Sequence, residues 1–197
     1  MAETPEIPEV EDAFSKRVAI TIAILAVIIS VIGNLGDNAK TEAIIKTTKA
    51  ANQWGYFQAK SIKQTAYETE LTILGTLADG TVDPGKRTAL VAKIEKKIAK
   101  YDAEKQAIGP GIIDPKTEAW VPQKEEDGKP LVSATQLEHE AAHLSAINDK
   151  TDESSLFLQI GVIFCSVSIL AKSRPFWFLG MGLGAVGSYF GVLAFLM

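Results

Sequence analysis

Three stretches of this chain are apolar for longer than a buried helix of a soluble domain requires, and they constrain everything else. Val18 to Gly36 reads "VAITIAILAVIISVIGNLG", with no charge and one Asn near its end. As a helix it reaches roughly 28 Å, enough for the hydrocarbon core of a bilayer. Ser154 to Ala171 and Pro175 to Met197 are the other two, separated only by Lys172, Ser173 and Arg174, so they read as a helical hairpin with a tight basic turn. Charged residues are 22% of the 197, close to a soluble average, yet the mean hydropathy is +0.12 because the apolar residues crowd to the two ends. The expectation is an all-α membrane protein with three transmembrane helices, one N-terminal and two in a C-terminal hairpin, carrying an extramembrane helical bundle or coiled-coil hairpin.

A cleaved signal peptide competes for the first run, with Lys16-Arg17 as its basic start. The run is long for that purpose, the preceding "MAETPEIPEVED" is acidic, and "GNLGDNAK" offers no A-x-A-like cleavage site. An uncleaved anchor fits better. Basic residues flank the spans at Lys16-Arg17 and at Lys172 and Arg174, two places that three spans put on one side of the membrane. The positive-inside rule assigns that side to the cytoplasm of a bacterial inner membrane and residues 37–153 to the periplasm. The expected division is then an N-terminal tail 1–17, spans 18–36, 154–171 and 175–197, and a turn 172–174.

Within the middle segment, 40–78 lacks proline and reads as a long helix continuous with the first span. The turn residues of "ADGTVDPGK" stop it. Residues 86–108 place Val91, Ile94, Ile98, Tyr101 and Ile108 at spacings of three and four, an amphipathic helix with a coiled-coil-like seam. A Gly/Pro-rich loop, 109–132, follows with Trp120 as its only large anchor. Ser133 and Gln136 then offer a capping box for a third helix with the apolar stripe Leu137, Ala141, Leu144 and Ile147, running without a breaker into the second span.

That helix holds the chain's two histidines in His139-Glu140-Ala141-Ala142-His143, an H-E-x-x-H pattern. Zinc peptidases need two histidines at i and i+4, a glutamate to activate water, and a third protein ligand. Downstream, Asp149, Asp152 and Glu153 lie farther along the same rigid helix and cannot fold back. The upstream acids carry no mark of a ligand, and both histidines lie off the apolar stripe. Two surface histidines on a Glu-rich helix are the expected reading, with no resident metal or cofactor. A second decoy, Gly182-x-Gly184-x-x-Gly187, matches the dinucleotide fingerprint but lies inside a span and is followed only by uncharged residues.

The glycines have a better explanation in helix packing. Gly180, Gly184, Gly187, Gly191 and Ala194 fall on one face; Ala19, Ala23, Ala26, Ser30 and Gly33 repeat the arrangement in the first span, and Gly161, Cys165 and Ser168 in the second. Lipid gives apolar side chains no reason to hide, so membrane helices associate where small residues let backbones approach, and the three faces imply close packing within the trio, between protomers, or both. The lone Cys165 excludes an intrachain disulfide and serves as a small packing residue. In "ANQWGYFQAKSIKQ", Trp54, Phe57, Gln58 and Ser61 are expected on one face, an interaction seam whose polar members would fix register.

"NQWGYFQAKSIKQ" shortly after a first span, together with "LQIGVIFCSVSILAKSRPFWFLGMGLGAVG" near the C-terminus, resembles the bacterial membrane-protein family catalogued as domain of unknown function 4337. The resemblance covers about Ala19 to the end. It implies one N-terminal span, a helical middle and two C-terminal spans, and it supplies no catalytic residues. The loop around Trp120 departs from it.

The net charge of -4, with lysines balanced by acids and no basic stripe, excludes a nucleic-acid partner as an expectation. Only Asn34, Gln159 and a few hydroxyls are polar inside the spans, so no ion path is marked. The expected function is non-enzymatic: a homo-oligomeric scaffold or an accessory subunit of a larger membrane complex, with the lipid bilayer as its medium. A zinc metallopeptidase and an oligomeric channel or transporter component are the competitors.

Overall fold

The computed structural model describes residues 13–76, 83–124, 128 and 130–197. Most of the acidic N-terminal tail, the Asp79-Gly80 turn and part of the Gly/Pro-rich loop lie outside the described residues. Four helices carry the described residues: α1 (Ala13–Thr76), α2 (Pro84–Ile108), α3 (Ala134–Ala171) and α4 (Arg174–Leu196). Two short strands, β1 (Gln123–Lys124) and β2 (Pro130–Leu131), pair antiparallel between α2 and α3. The helices α1, α3 and α4 are long and apolar enough to cross a membrane. Two compact units divide the chain, one of Met1–Thr41 with His143–Met197 and one of Glu42–Ala142.

One regularity organises α1 from end to end. Taking every seventh residue from Val18 gives Leu25, Ile32, Ala39, Lys46, Gln53, Lys60, Tyr67 and Leu74; from Ile22 it gives Ile29, Gly36, Ala43, Ala50, Phe57, Gln64 and Leu71. Every one of these positions is buried or half-buried. Seven residues make slightly less than two turns of an ideal helix, so a strict seven-residue stripe keeps facing its neighbours only with a left-handed winding. The helix α3 repeats the device: Leu137, Leu144, Thr151, Leu158 and Cys165 are all buried or half-buried at the same interval.

In the first unit the pairings fix the helix directions. Leu25 lies against Gly184 and Ile32 against Gly191, so α1 and α4 run parallel; Leu158 against Gly187 and Cys165 against Gly180 set α3 antiparallel to α4. Phe14 meets Trp177 edge-on at 5.8 Å and the Trp177 indole donates to Thr21 Oγ1 at 3.2 Å. The basic pairs Lys16-Arg17 and Lys172 with Arg174 therefore sit at the same end of this unit.

Glycine makes the α3–α4 contact. A Cβ built on Gly180 would stand 2.7 Å from the Gly161 carbonyl oxygen, and one on Gly187 would stand 2.9 Å from the Ser154 carbonyl oxygen. Backbone, unlike a side chain, cannot turn away. The close approach also lets the buried Ser154 hydroxyl donate to the Gly187 carbonyl at 2.6 Å, the interhelical hydrogen bond that hydrocarbon surroundings favour. All five expected small residues of α4 are buried, and so are Gly161, Cys165 and Ser168.

The small residues of the first span are not used within the unit. Ala19, Ala23, Ala26 and Ser30 are exposed and Gly33 has open space beside it, while Val18, Leu25 and Ile32 face inward. The reason is complementarity: α4 supplies the grooves, so α1 must supply knobs. A correction concerns "ANQWGYFQAKSIKQ", where Gln58 is exposed and Lys60 turns in. The seven-residue stripe puts 57, 60 and 64 inside and leaves 58 one position off it.

The α3–α4 turn ends α3 with a Schellman pattern. Lys172 adopts φ 48°, its N–H donates to Ile169 O at 3.4 Å, and the Ser173 N–H donates to Ser168 O at 3.2 Å. Pro175 then sits in the first turn of α4, where its missing N–H costs nothing.

Replacing Gly180 by Ala should lower stability by about 1–3 kcal/mol, because the added methyl meets backbone in a closed contact. Gly182→Ala, with nothing within 4 Å of its Cβ position, should not. Thermal unfolding of both variants in mild detergent checks the contrast; equal behaviour would contradict the packing described.

Candidate functional site

The second unit concentrates the polar side chains. The C-terminal half of α1 and the whole of α2 form an antiparallel hairpin, shown by a ladder of pairings whose residue numbers rise on one helix as they fall on the other. Lys105 stands over the Phe57 ring at 5.7 Å, Lys60 binds Glu104 at 2.5 Å, Tyr67 stacks on Tyr101 at 5.9 Å, and the Arg87 guanidinium donates to Leu74 O at 2.7 Å. The last of these satisfies one of the carbonyls that the end of α1 leaves without an intrahelical partner. Lys97 reaches across to Tyr67 Oη at 2.8 Å, and that hydrogen bond raises its pKa above the ordinary lysine value.

At the head of the hairpin, Trp54 and Phe57 make an edge-to-face pair at 5.4 Å above Gly109. Gly109 is buried and caps α2 by donating to Lys105 O. A Cβ there would collide with the Phe57 ring, so only glycine lets the aromatic pair close over the helix end. The Gly109 carbonyl in turn accepts from the Thr135 N–H and hydroxyl, tying α2 to the start of α3. Trp54 Nε1 donates to Glu138 Oε1 at 2.7 Å, and Ser61 is half-buried farther along the same side.

The Gly/Pro-rich loop is more ordered than its composition suggests. Ile113 bridges Trp120, the Val121 N–H donates to Ile112 O, and β1 continues into the pairing with β2. Gly111, at φ +75°, brings the chain against Ser133 and the Trp120 ring. Ser133 caps α3 through Gln136 N at 3.2 Å, but the Gln136 amide turns to Glu140 Oε1 at 3.0 Å, so the capping box is only half made.

The residues of the H-E-x-x-H pattern do not converge. His139 and His143 are exposed, and among the described residues no group of three or more His, Cys, Asp or Glu side chains is placed to hold a metal. Glu140 instead accepts from Lys46 Nζ at 2.6 Å and lines an open groove of about 370 Å³ with Lys46, Lys49, Asn52, Tyr56 and Leu137 among its other walls. The Lys46 hydrogen bond lowers the Glu140 pKa, with the Gln136 amide adding to it; the same bond raises the Lys46 pKa. Both shifts run away from what a general base near neutral pH needs, a carboxylate raised or an amine lowered. The groove can bind polar groups; its ion pair is tuned to stay charged.

A family model described as "Domain of unknown function (DUF4337)" matches residues 14–197, nearly the whole described chain. The chain belongs to that family. No curated protein and no solved structure matches it. DUF4337 membership therefore brings no activity to these residues, and the geometry above must carry the functional reading.

Lys46 was not singled out in the sequence, nor were Glu104, Lys97 and Gly109. The seven-residue stripe of α1, extended out of the first span, is the signal for Lys46, as it is for Lys60 and Tyr67; Lys97, Glu104 and Gly109 have no such mark in the sequence.

Two tests follow from this geometry. Glu140, depressed in the folded state, contributes stability above its unfolded pKa and loses it as pH falls through the folded value; Lys46, raised, contributes until pH climbs through its own folded value. Glu140→Gln should accordingly flatten the acid limb of stability measured by thermal unfolding, and an unchanged acid limb would show the pair to be idle. In protein purified without a histidine tag, His139→Ala and His143→Ala should leave zinc content and melting temperature unchanged; stoichiometric zinc lost with either histidine would restore the peptidase reading.

Proposed function

We propose that this DUF4337 protein is a non-enzymatic integral membrane protein, a homo-oligomeric scaffold or an accessory subunit of a larger membrane complex, that works through helix packing. The observation that carries the reading is α1 itself, 64 residues of uninterrupted helix with one inward stripe throughout. A helix with neighbours along one side for its whole length works by packing. The polar groups of the second unit support the same view, because Lys46, Lys60 and Lys97 are engaged with Glu140, Glu104 and Tyr67 in fastening helices together.

The basic residues at one end of the first unit support an orientation. Under the positive-inside rule that end is cytoplasmic, and Glu42–Ala142 stands on the opposite, periplasmic side of a bacterial inner membrane. The one native thiol, Cys165, is buried, so a single new cysteine can report sidedness. Lys116→Cys, on an exposed loop position, should react with a membrane-impermeant maleimide in intact spheroplasts. Reaction only after permeabilisation would reverse the orientation.

The scaffold role is tested by native purification in mild detergent followed by mass photometry. A defined self-assembly or a co-purifying membrane partner in fixed ratio is expected. A lone monomer in detergent and in native nanodiscs alike would sink it.

A further inference from the structure

The stripe that faces inward in α1 has a counterpart that faces out. Beyond the first span, three seven-residue series make the outer face of the helix: Ile44 to Thr72, Ile45 to Ile73 and Thr48 to Thr76, five positions each and all fifteen exposed. None is charged. They comprise four isoleucines, three alanines, five threonines, one glycine, one asparagine and one glutamine. Ile62, near the middle, is 72% exposed, and Ile44 and Ile73 towards the ends are 59% and 55% exposed.

An extramembrane helix ordinarily carries its charges on such outer positions. The neighbouring α2 does so, with Lys86, Lys93, Lys96 and Lys100 exposed on its own outer face. Within one unit, then, one helix is solvated by charge and the other is stripped of it. The charges that α1 does expose here flank the bare face, Lys49, Lys63 and Glu70 in one seven-residue series along one edge and Glu68 on the other.

We propose that this face, centred on Thr48, Gly55, Ile62 and Thr69, is the surface through which α1 pairs with α1 of a second copy, parallel and in register. The proposal rests on the scaffold reading and on α1 beginning in the membrane. Copies inserted the same way up present their α1 helices parallel. In a two-fold pair of that kind each axial position meets its own copy, so any charge there would meet a like charge. The axial positions of a face that pairs with itself are therefore best left neutral, whereas one shaped for an unlike partner is free to use complementary charge throughout. This face is neutral at every position, and Lys49, Lys63 and Glu70 lie where a polar rim belongs. Gly55 and the alanines allow close approach around the isoleucines. The face is about 48 Å long at 1.5 Å per residue and about 10 Å broad. A pair of copies would bury about 1,000 Å² in all, the size at which specific interfaces begin.

The test is disulfide trapping in native membranes, with the unmodified full chain as the blank for Cys165. Ile62→Cys should yield a covalent dimer on mild oxidation, and Lys96→Cys, on the charged face of α2, should not. Ile62→Lys should weaken self-association at least tenfold in a dilution series, while Ile62→Thr should not. An assembly that stays oligomeric by sizing, but gives no Ile62→Cys crosslink and ignores Ile62→Lys, would overturn the face and leave the scaffold reading standing. A monomer throughout would overturn both. A fluorophore on Ile62→Cys quenched by spin-labelled lipid would overturn the pairing in favour of the bilayer surface.

Discussion

Everything described here depends on a seven-residue stripe that α1 keeps from Val18 to Leu74. A helix buried on one side needs an inward residue roughly every three and a half positions. What varies along α1 is the chemistry placed on that stripe. In the apolar first span it is Val, Leu and Ile; around Gly36, Ala39, Ala43 and Ala50 it becomes small; beyond Gln53 it turns to Phe57, Lys60, Gln64 and Tyr67. Each change answers a different neighbour and solvent. In the span, small residues on α4 receive large ones from α1. In the hairpin with α2, long polar side chains reach across and bond.

The glycine stripe of α4 is the other half of this logic. Between lipid-facing helices there is no hydrophobic gain on association, so the contact must come from close van der Waals fit and satisfied polar groups. Gly180 and Gly187 bring α3 within backbone distance, and Gly184 and Gly191 admit Leu25 and Ile32. Alanines at the same spacing in the first span look equivalent in the sequence and are not. A small-residue face marks a place where a helix can be approached, but only the partner's side chains decide whether it is. With the grooves already on α4, the complementary surface of α1 had to be the bulky one.

Much of the fold was legible because it rests on length and hydropathy. The three helices long and apolar enough to cross a membrane, the α3–α4 turn at Lys172, the continuity of α1 and α3 and the start of α3 at Ser133 all follow from apolar runs and capping residues. The exposure of His139 and His143 was legible too, from their offset to Leu137 and Ala141. Less legible were features that depend on partners distant in sequence. Gln58 is expected in a seam centred on Trp54 and Ser61, whereas the inward face is centred on Phe57, Lys60 and Gln64, a direction that only the stripe along the whole helix fixes. The order in the loop at Ile113 and Trp120 depends on Gly111 and Ser133, twenty-two positions apart. The Lys46–Glu140 pair joins residues 94 positions apart, which no local pattern announces.

For function, the consequence is that Lys46, Lys60 and Lys97 act as fasteners between helices while the uncharged outer face of α1 is the unusual feature. The H-E-x-x-H pattern draws attention first, yet its glutamate serves α1 and its histidines lie on an exposed face. The packing account stands or falls on α1 being one continuous helix. Hydrogen–deuterium exchange of the full chain in nanodiscs tests this most directly, by following the amides of 37–49, where the stripe passes from large to small residues. Protection there comparable to that of the hairpin on one side and the span on the other is the predicted result. Rapid exchange confined to that stretch would show two helices joined by a hinge and would contradict it.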